Sequence, residues 1–242
     1  MKQARKMLRM GCLAMTLPLM LGIMPGAMAD GAQADGKLIA LTFDDGPNTT
    51  TTAEVLGVLE EYGVVASFFL IGQNISASSE KLAKRAFDMG CEIDCHAWTH
   101  SDMTGMDEDA IQDEIDRCCD RIERITSVRP RFFRPPYISV NERMFETIDL
   151  TFISGVGCND WMAEVTVEER LRLFYDGVRD GSIILLHDFA GNSRTVEVIR
   201  TAIPKLLEMG YTFVTVGDLF ARKGITPKKH TVYSNVLQMG MW

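Results

Sequence analysis

Asp44 and Asp45 stand side by side in Thr42-Phe43-Asp44-Asp45-Gly46-Pro47, and two of the four histidines form His96-x-x-x-His100. Two neutral imidazole nitrogens and one carboxylate are a three-ligand set for a divalent cation, with a position left open for water. A cation there lowers the pKa of that water towards neutrality. A spacing of four on one helical turn puts both imidazoles on the same side, and Asp45 is the candidate third ligand. Neighbouring carboxylates at a strand end point to different sides, so Asp44 is left to act as a general base. Bland readings exist for each: a histidine pair satisfied in the core or at the surface, and Asp-Gly-Pro as plain turn chemistry.

These residues need a scaffold that brings distant segments together. From Lys37 onward short apolar runs alternate with helical patterns. The runs predict strands at Leu38–Phe43, Val64–Ile71, Cys91–Cys95, Arg131–Arg134, Leu150–Gly155, Ser182–Leu186 and Tyr211–Val216. Seven strands with helices between them point to parallel α/β architecture. Asp44-Asp45, His96 and His100, Arg134, Asp160-Trp161 and His187-Asp188 all fall at or just past C-terminal strand ends. In parallel α/β barrels that rim is where sites are built. Thr51-x-x-Glu54 has the form of a capping box ahead of the first helix, and Gly63 stands where that helix should stop.

The 242 residues, with 46% hydrophobic and 24% charged side chains, suit one globular domain with a sizeable core. The first 29 residues read as a signal peptide: Lys2, Arg5, Lys6 and Arg9, then an apolar stretch to about Met24, then Ala27-Met28-Ala29. Cleavage after Ala29 leaves residues 30–36 as a short lead, 37–223 as the domain and 224–242 as a tail read as an irregular strap or a partly disordered end. Residues 1–29 hold four of the 25 basic residues and none of the 33 acidic ones, so the formal charge moves from −8 to −12 on cleavage. That balance argues against nucleic acid and against anionic lipid, and no membrane association is expected after cleavage. Cys91 and Cys95, about 13 Å apart on one extended strand, are too far for a bridge. The five cysteines past residue 29 are expected to be buried free thiols.

Several segments resemble, in order, the NodB-homology polysaccharide deacetylases of carbohydrate esterase family 4. They are Thr42–Pro47, Ala66-Ser67-Phe68-Phe69-Leu70-Ile71-Gly72, His96-Ala97-Trp98-Thr99-His100, Phe133-Arg134-Pro135-Pro136-Tyr137, Asn159-Asp160-Trp161 and Ile184-Leu185-Leu186-His187-Asp188. The resemblance covers residues 37–223 and implies a distorted (β/α)7 barrel, a single domain carrying a secreted, metal-dependent carbohydrate deacetylase. By matching position it implies Asp45, His96 and His100 as metal ligands, Asp44 as base and His187 as acid. Arg134 would hold the base, and Asp160 would orient the acid and favour its imidazolium form. The backbone N–H of Tyr137 would bind the oxyanion, with Trp161 and Leu185 enclosing the acetyl methyl. One divalent ion is implied, zinc first, with cobalt, nickel or manganese as alternatives. The expected partner is an acetylated polysaccharide or oligosaccharide, met by a monomer.

Asp149-Leu150-x-Phe152, Asn159-Asp160-Trp161, Gly177–Gly181 and Val232-Tyr233-Ser234-Asn235 resemble the acetylxylan-esterase branch, which leaves N-acetyl amide and O-acetyl ester both open as bonds cleaved. Three departures stand out. Ala97 replaces the usual Ser or Thr after the first histidine, removing a hydrogen bond expected to steady the ligand loop. Ile138 replaces a glycine beside Tyr137, and Gly157 an aspartate ahead of Asp160. Ala97 and Ile138 motivate the alternative, a catalytically silent glycan-binding protein on the same fold.

Overall fold

The computed structural model describes residues 36–238. The leader expected at 1–29, and the lead as far as residue 35, lie outside the described residues.

The first strand, β1 (Lys37–Asp44), is buried from Leu38 to Asp44. A strand with no solvent face must be covered on both sides, and β1 is central: it pairs in parallel with β7 (Ser182–His187), β2 (Ser67–Leu70) and, at its start, β8 (Tyr211–Phe213). From β2 the sheet continues through β3 (Glu92–Cys95), β4 (Phe132–Phe133), β5 (Thr151–Ile153) and β9 (Val232–Tyr233), while β6 (Val156–Gly157) pairs with the far side of β7. Among the described residues every pairing between these strands is parallel, and one antiparallel bridge joins Ser182 to Asn235. The architecture is the expected single-domain α/β barrel, distorted where strands shrink to two residues.

The helices are α1 (Thr51–Tyr62), α2 (Glu80–Asp88), α3 (Glu108–Thr126), α4 (Glu142–Thr147), α5 (Val167–Gly177), α6 (Ser193–Glu208) and α7 (Val216–Arg222). In α3 the ladder Ile111, Ile115, Cys118, Cys119 and Ile122 is buried, as its period requires. All five described cysteines are free and buried.

Three expectations are corrected. At α1, Gly63 does close the helix in the left-handed conformation, but the capping box does not form. Asn48 Oδ1 accepts the Thr50 and Thr52 N–H groups instead, and the Thr51 hydroxyl is taken by the Gly191 N–H. The expected last strand ends at Phe213, because Thr215 caps α7 by accepting the Asp218 N–H. The tail is also more than a strap. From the end of β9 onward, Tyr233 O accepts the Ser154 N–H, Ser234 O accepts the Ile183 N–H and the Val236 N–H donates to Gly181 O, so the tail spans the gap between β5 and β7.

Candidate active site

The ten residues singled out from sequence converge on one end of the barrel. Eight of them, Asp44, Asp45, His96, His100, Tyr137, Trp161, Leu185 and His187, line one cavity of about 410 Å³, joined there by Pro135 and Ile138. Arg134 and Asp160 lie behind its wall, both fully buried.

Asp45 Oδ1 sits 3.5 Å from Nε2 of His96 and 3.5 Å from Nε2 of His100. The three ligand atoms all lie within 4.8 Å of one another, and Asp45 Oδ1 is buried without a hydrogen-bond partner. A buried carboxylate oxygen left unpaired costs free energy unless something else satisfies it, and a cation facing two imidazoles would. His96 is oriented for this: its Nδ1 lies 2.6 Å from Arg134 O, and donating there leaves the Nε2 lone pair facing Asp45. Burial disfavours ionised Asp45, but the facing His96 and the nearby His187 and His100 outweigh it and lower its pKa. Burial and the neighbouring His96 lower that of His100. A carboxylate and two neutral imidazoles are the protonation states a divalent ion needs.

The pair was expected on a helical turn, and it is not. His96 follows β3, and residues 96–100 form a loop in which Ala97 (φ 62°) and His100 (φ 63°) are left-handed. Those two turns, rather than a 3.6-residue period, bring the rings to 4.8 Å.

Asp44 ends β1, and its Oδ1 accepts from Arg134 Nη1 at 2.5 Å. Its other oxygen faces His96 Nε2 at 3.8 Å. Arg134 is clamped further by the Phe69 ring, 4.2 Å from its guanidinium carbon. At the end of the neighbouring strand β7, Asp160 Oδ1 pairs with His187 Nδ1 at 2.8 Å, while Oδ2 accepts the His187 N–H at 2.7 Å and the Thr195 hydroxyl at 2.6 Å. Burial opposes charge on His187, but the Asp160 hydrogen bond and the Asp160, Asp44 and Asp45 charges prevail and raise its pKa to about 9. Tyr137 is left-handed (φ 58°) and packs its ring against His100 at 4.8 Å, and both Tyr137 and Trp161 are exposed at the mouth, at 67% and 58%.

Several supporting residues are given no role from sequence, Asp188 among them although its place at the strand end is legible there. Arg170, buried, donates to Asn192 Oδ1 and to the Val165 and Met162 carbonyls, and Asn192 Nδ2 donates to His187 O. Asp188, also buried, accepts the Thr52 hydroxyl at 2.5 Å and packs under Gly46, where a Cβ would come within 2.7 Å of its carboxylate. Asp188 carried a signal, its position beside His187. Asn192 and Thr195 carried none, being ordinary polar residues in and after a loop.

Residues 31–151 match the family model described as polysaccharide deacetylase. The chain is 48% identical over 201 residues to a bifunctional xylanase/deacetylase of Pseudobutyrivibrio xylanivorans, covering 83% of this chain and 33% of that protein. It is 33% identical over 191 residues to a peptidoglycan-N-acetylglucosamine deacetylase of Listeria monocytogenes, covering 77% of this chain and 40% of that one. The chain therefore spans well under half the length of both relatives. Among solved structures, a family 4 acetyl xylan esterase from Clostridium thermocellum in complex with a cobalt ion superposes with a TM-score of 0.80 at 39% identity, covering 84% of this chain and all of the other. With the same barrel and an Asp-His-His cluster at its rim, the chain belongs to the polysaccharide deacetylase family of carbohydrate esterase family 4.

Proposed function

We propose that this protein is a metal-dependent esterase that hydrolyses O-acetyl groups on a xylan-type polysaccharide. The observation that carries the hydrolytic reading is that Asp44 and His187, neighbours at the ends of β1 and β7, line one cavity with the Asp45, His96 and His100 cluster beside them. The xylan assignment is supported by higher identity to the xylanase/deacetylase and the acetyl xylan esterase than to the peptidoglycan enzyme.

Asp45, His96 and His100 would hold the divalent ion, with zinc the first candidate. Such an ion supplies Lewis acidity, polarising the acetyl carbonyl and easing deprotonation of water. Asp44 takes the proton from the attacking water on the oxygen that Arg134 does not occupy. The backbone N–H of Tyr137 donates to the oxyanion as the carbonyl becomes tetrahedral. His187, held as imidazolium by Asp160, gives its proton to the departing sugar oxygen. Leu185 and Trp161 enclose the acetyl methyl. The basic leader followed by an apolar stretch and Ala27-Met28-Ala29 supports export of a domain that begins at Lys37.

The test is acetate release from acetylated xylan beside an N-acetylglucosamine oligomer, with zinc or cobalt supplied and Asp44→Asn as control. Metal-dependent release from xylan, lost in the control, is expected. Release from the amino sugar instead would reassign the bond cleaved to the amide. Silence on both by metal-loaded protein would leave the glycan-binding alternative.

A further inference from the structure

Glu114 on α3 lies outside the set of residues given a role above, and it is buried. A buried carboxylate is costly unless its oxygens accept hydrogen bonds. Both oxygens of Glu114 do, and these bonds go to the segment between the two histidines. Oε2 accepts the backbone N–H of Trp98 at 2.9 Å and that of Thr99 at 2.8 Å, and Oε1 accepts the Thr99 hydroxyl at 2.9 Å.

The opposite edge of the segment is held differently. The Gly72 N–H donates to Ala97 O and the Gln73 N–H to Trp98 O, backbone to backbone. Gly72 is required there, since a Cβ would come within 2.4 Å of the Trp98 ring. The Ala97 and Trp98 carbonyls thus have main-chain partners, whereas the N–H groups of Trp98 and Thr99 depend on one side chain. The dependence matters because Ala97 and His100 flank those N–H groups in left-handed conformations, which non-glycine residues keep only when their surroundings impose them. Ala97 has no hydroxyl to help.

We infer that Glu114 is a positioning residue for metal binding: it fixes the Ala97–Thr99 segment so that His96 and His100 present Nε2 to one point before the ion arrives. The inference rests on the metal reading proposed above. The ordering that Glu114 supplies in advance would otherwise be drawn from the binding free energy of the ion. Glutamine can still offer a carbonyl oxygen to the two N–H groups and its amide to the Thr99 oxygen. Alanine offers neither, and aspartate is one methylene too short.

The experiment measures zinc affinity by chelator competition, and the visible spectrum of the cobalt-loaded protein, for the unmodified chain, E114A, E114D, E114Q and Thr99→Val. Loss of a group that orients ligands costs about 10–100-fold in metal affinity, and that loss is expected for E114A and E114D with an altered cobalt spectrum. E114Q should rescue to within about threefold, and Thr99→Val should fall between, since it loses one of the three Glu114 bonds together with the Thr99 hydroxyl's contacts to Ser101. Should E114A fail to fold, E114D against E114Q carries the same comparison. Zinc affinity within about twofold of the unmodified chain in E114A or E114D, even with a lower melting temperature, would reduce Glu114 to a packing residue and overturn the inference. An unmodified chain that binds neither ion would overturn the metal reading as well, which separates the two failures.

Discussion

Asp160 and Asp45 are both carboxylates at the rim of the barrel, yet they are held in opposite ways. Both oxygens of Asp160 are used, by the ring and backbone of His187 and by Thr195, with Asn192 and Arg170 completing the support behind it. Asp45 has an oxygen that is buried, unpaired and 3.5 Å from two imidazole nitrogens. The acid half of the site is complete as a protein, whereas the ligand half has vacant acceptor capacity pointed at one place. An unsatisfied group of this kind is tolerated where function uses it. The contrast teaches that the two halves should fail differently: one by losing an ion, the other by losing a proton.

The largest effect is expected where the ligand half is broken outright. Asp45→Asn removes the anionic ligand and leaves an amide facing two imidazoles. Acetate release should fall by about a thousandfold or more, as for loss of a principal electrostatic stabiliser, and added zinc should not restore it. The unmodified chain should gain about 2.7 kcal/mol of stability at a zinc concentration a hundred times its Kd, and a chelator should reverse the gain. Thermal melts with and without zinc check this, and an equal zinc-dependent shift in Asp45→Asn would show that the ion binds elsewhere.

Breaking the acid half should leave metal binding intact and move the pH profile. The folded pKa of His187 is raised to about 9 from its ordinary 6.5. Its charged form therefore contributes stability that is fully present below 6.5 and is lost as pH rises through about 9. The same titration removes the acid, so activity should decline on the alkaline side near that value. In Asp160→Asn the burial that opposes charge remains while the Asp160 hydrogen bond and charge are gone, leaving only the Asp44 and Asp45 charges to support the imidazolium. The alkaline limb should then move to lower pH, with kcat at pH 7.5 down by about a hundredfold. A kcat profile from pH 5 to 10 reads this directly, and an unmoved limb would detach His187 from the acid role.

The halves were also unequally legible in sequence. Asp45, His96 and His100 were visible from residue type and spacing, although the helical argument for their proximity was wrong. Strand β1 and the ladder of α3 were visible because long runs of buried apolar residues have a period. β6 and β9, two residues each, are too short to have one, and the tail that carries β9 has little periodicity around it. Glu114 could have been found: it lies three residues after Ile111 and four before Cys118, a charge on the apolar face of its helix. Arg170 is less legible, because its partners are backbone carbonyls and Asn192, none of which a charge pattern reveals.

The mouth of the cavity offers the mildest test of the contrast, through one aromatic on each half. Both are exposed, but Tyr137 packs its ring on His100, while Trp161 follows Asp160. Trp161→Ala should therefore leave zinc affinity unchanged and lower kcat/KM on acetylated xylan by about tenfold, the worth of one lost aromatic contact of roughly 1–1.5 kcal/mol. Tyr137→Ala, with a similar loss of aromatic surface, should in addition weaken zinc binding by a few-fold, because it frees the His100 ring. A small aryl acetate beside the polymer separates two uses of the indole. If Trp161 encloses the acetyl methyl, both substrates lose rate together. A loss confined to the polymer would move the indole from the acetyl pocket to the face of a neighbouring sugar.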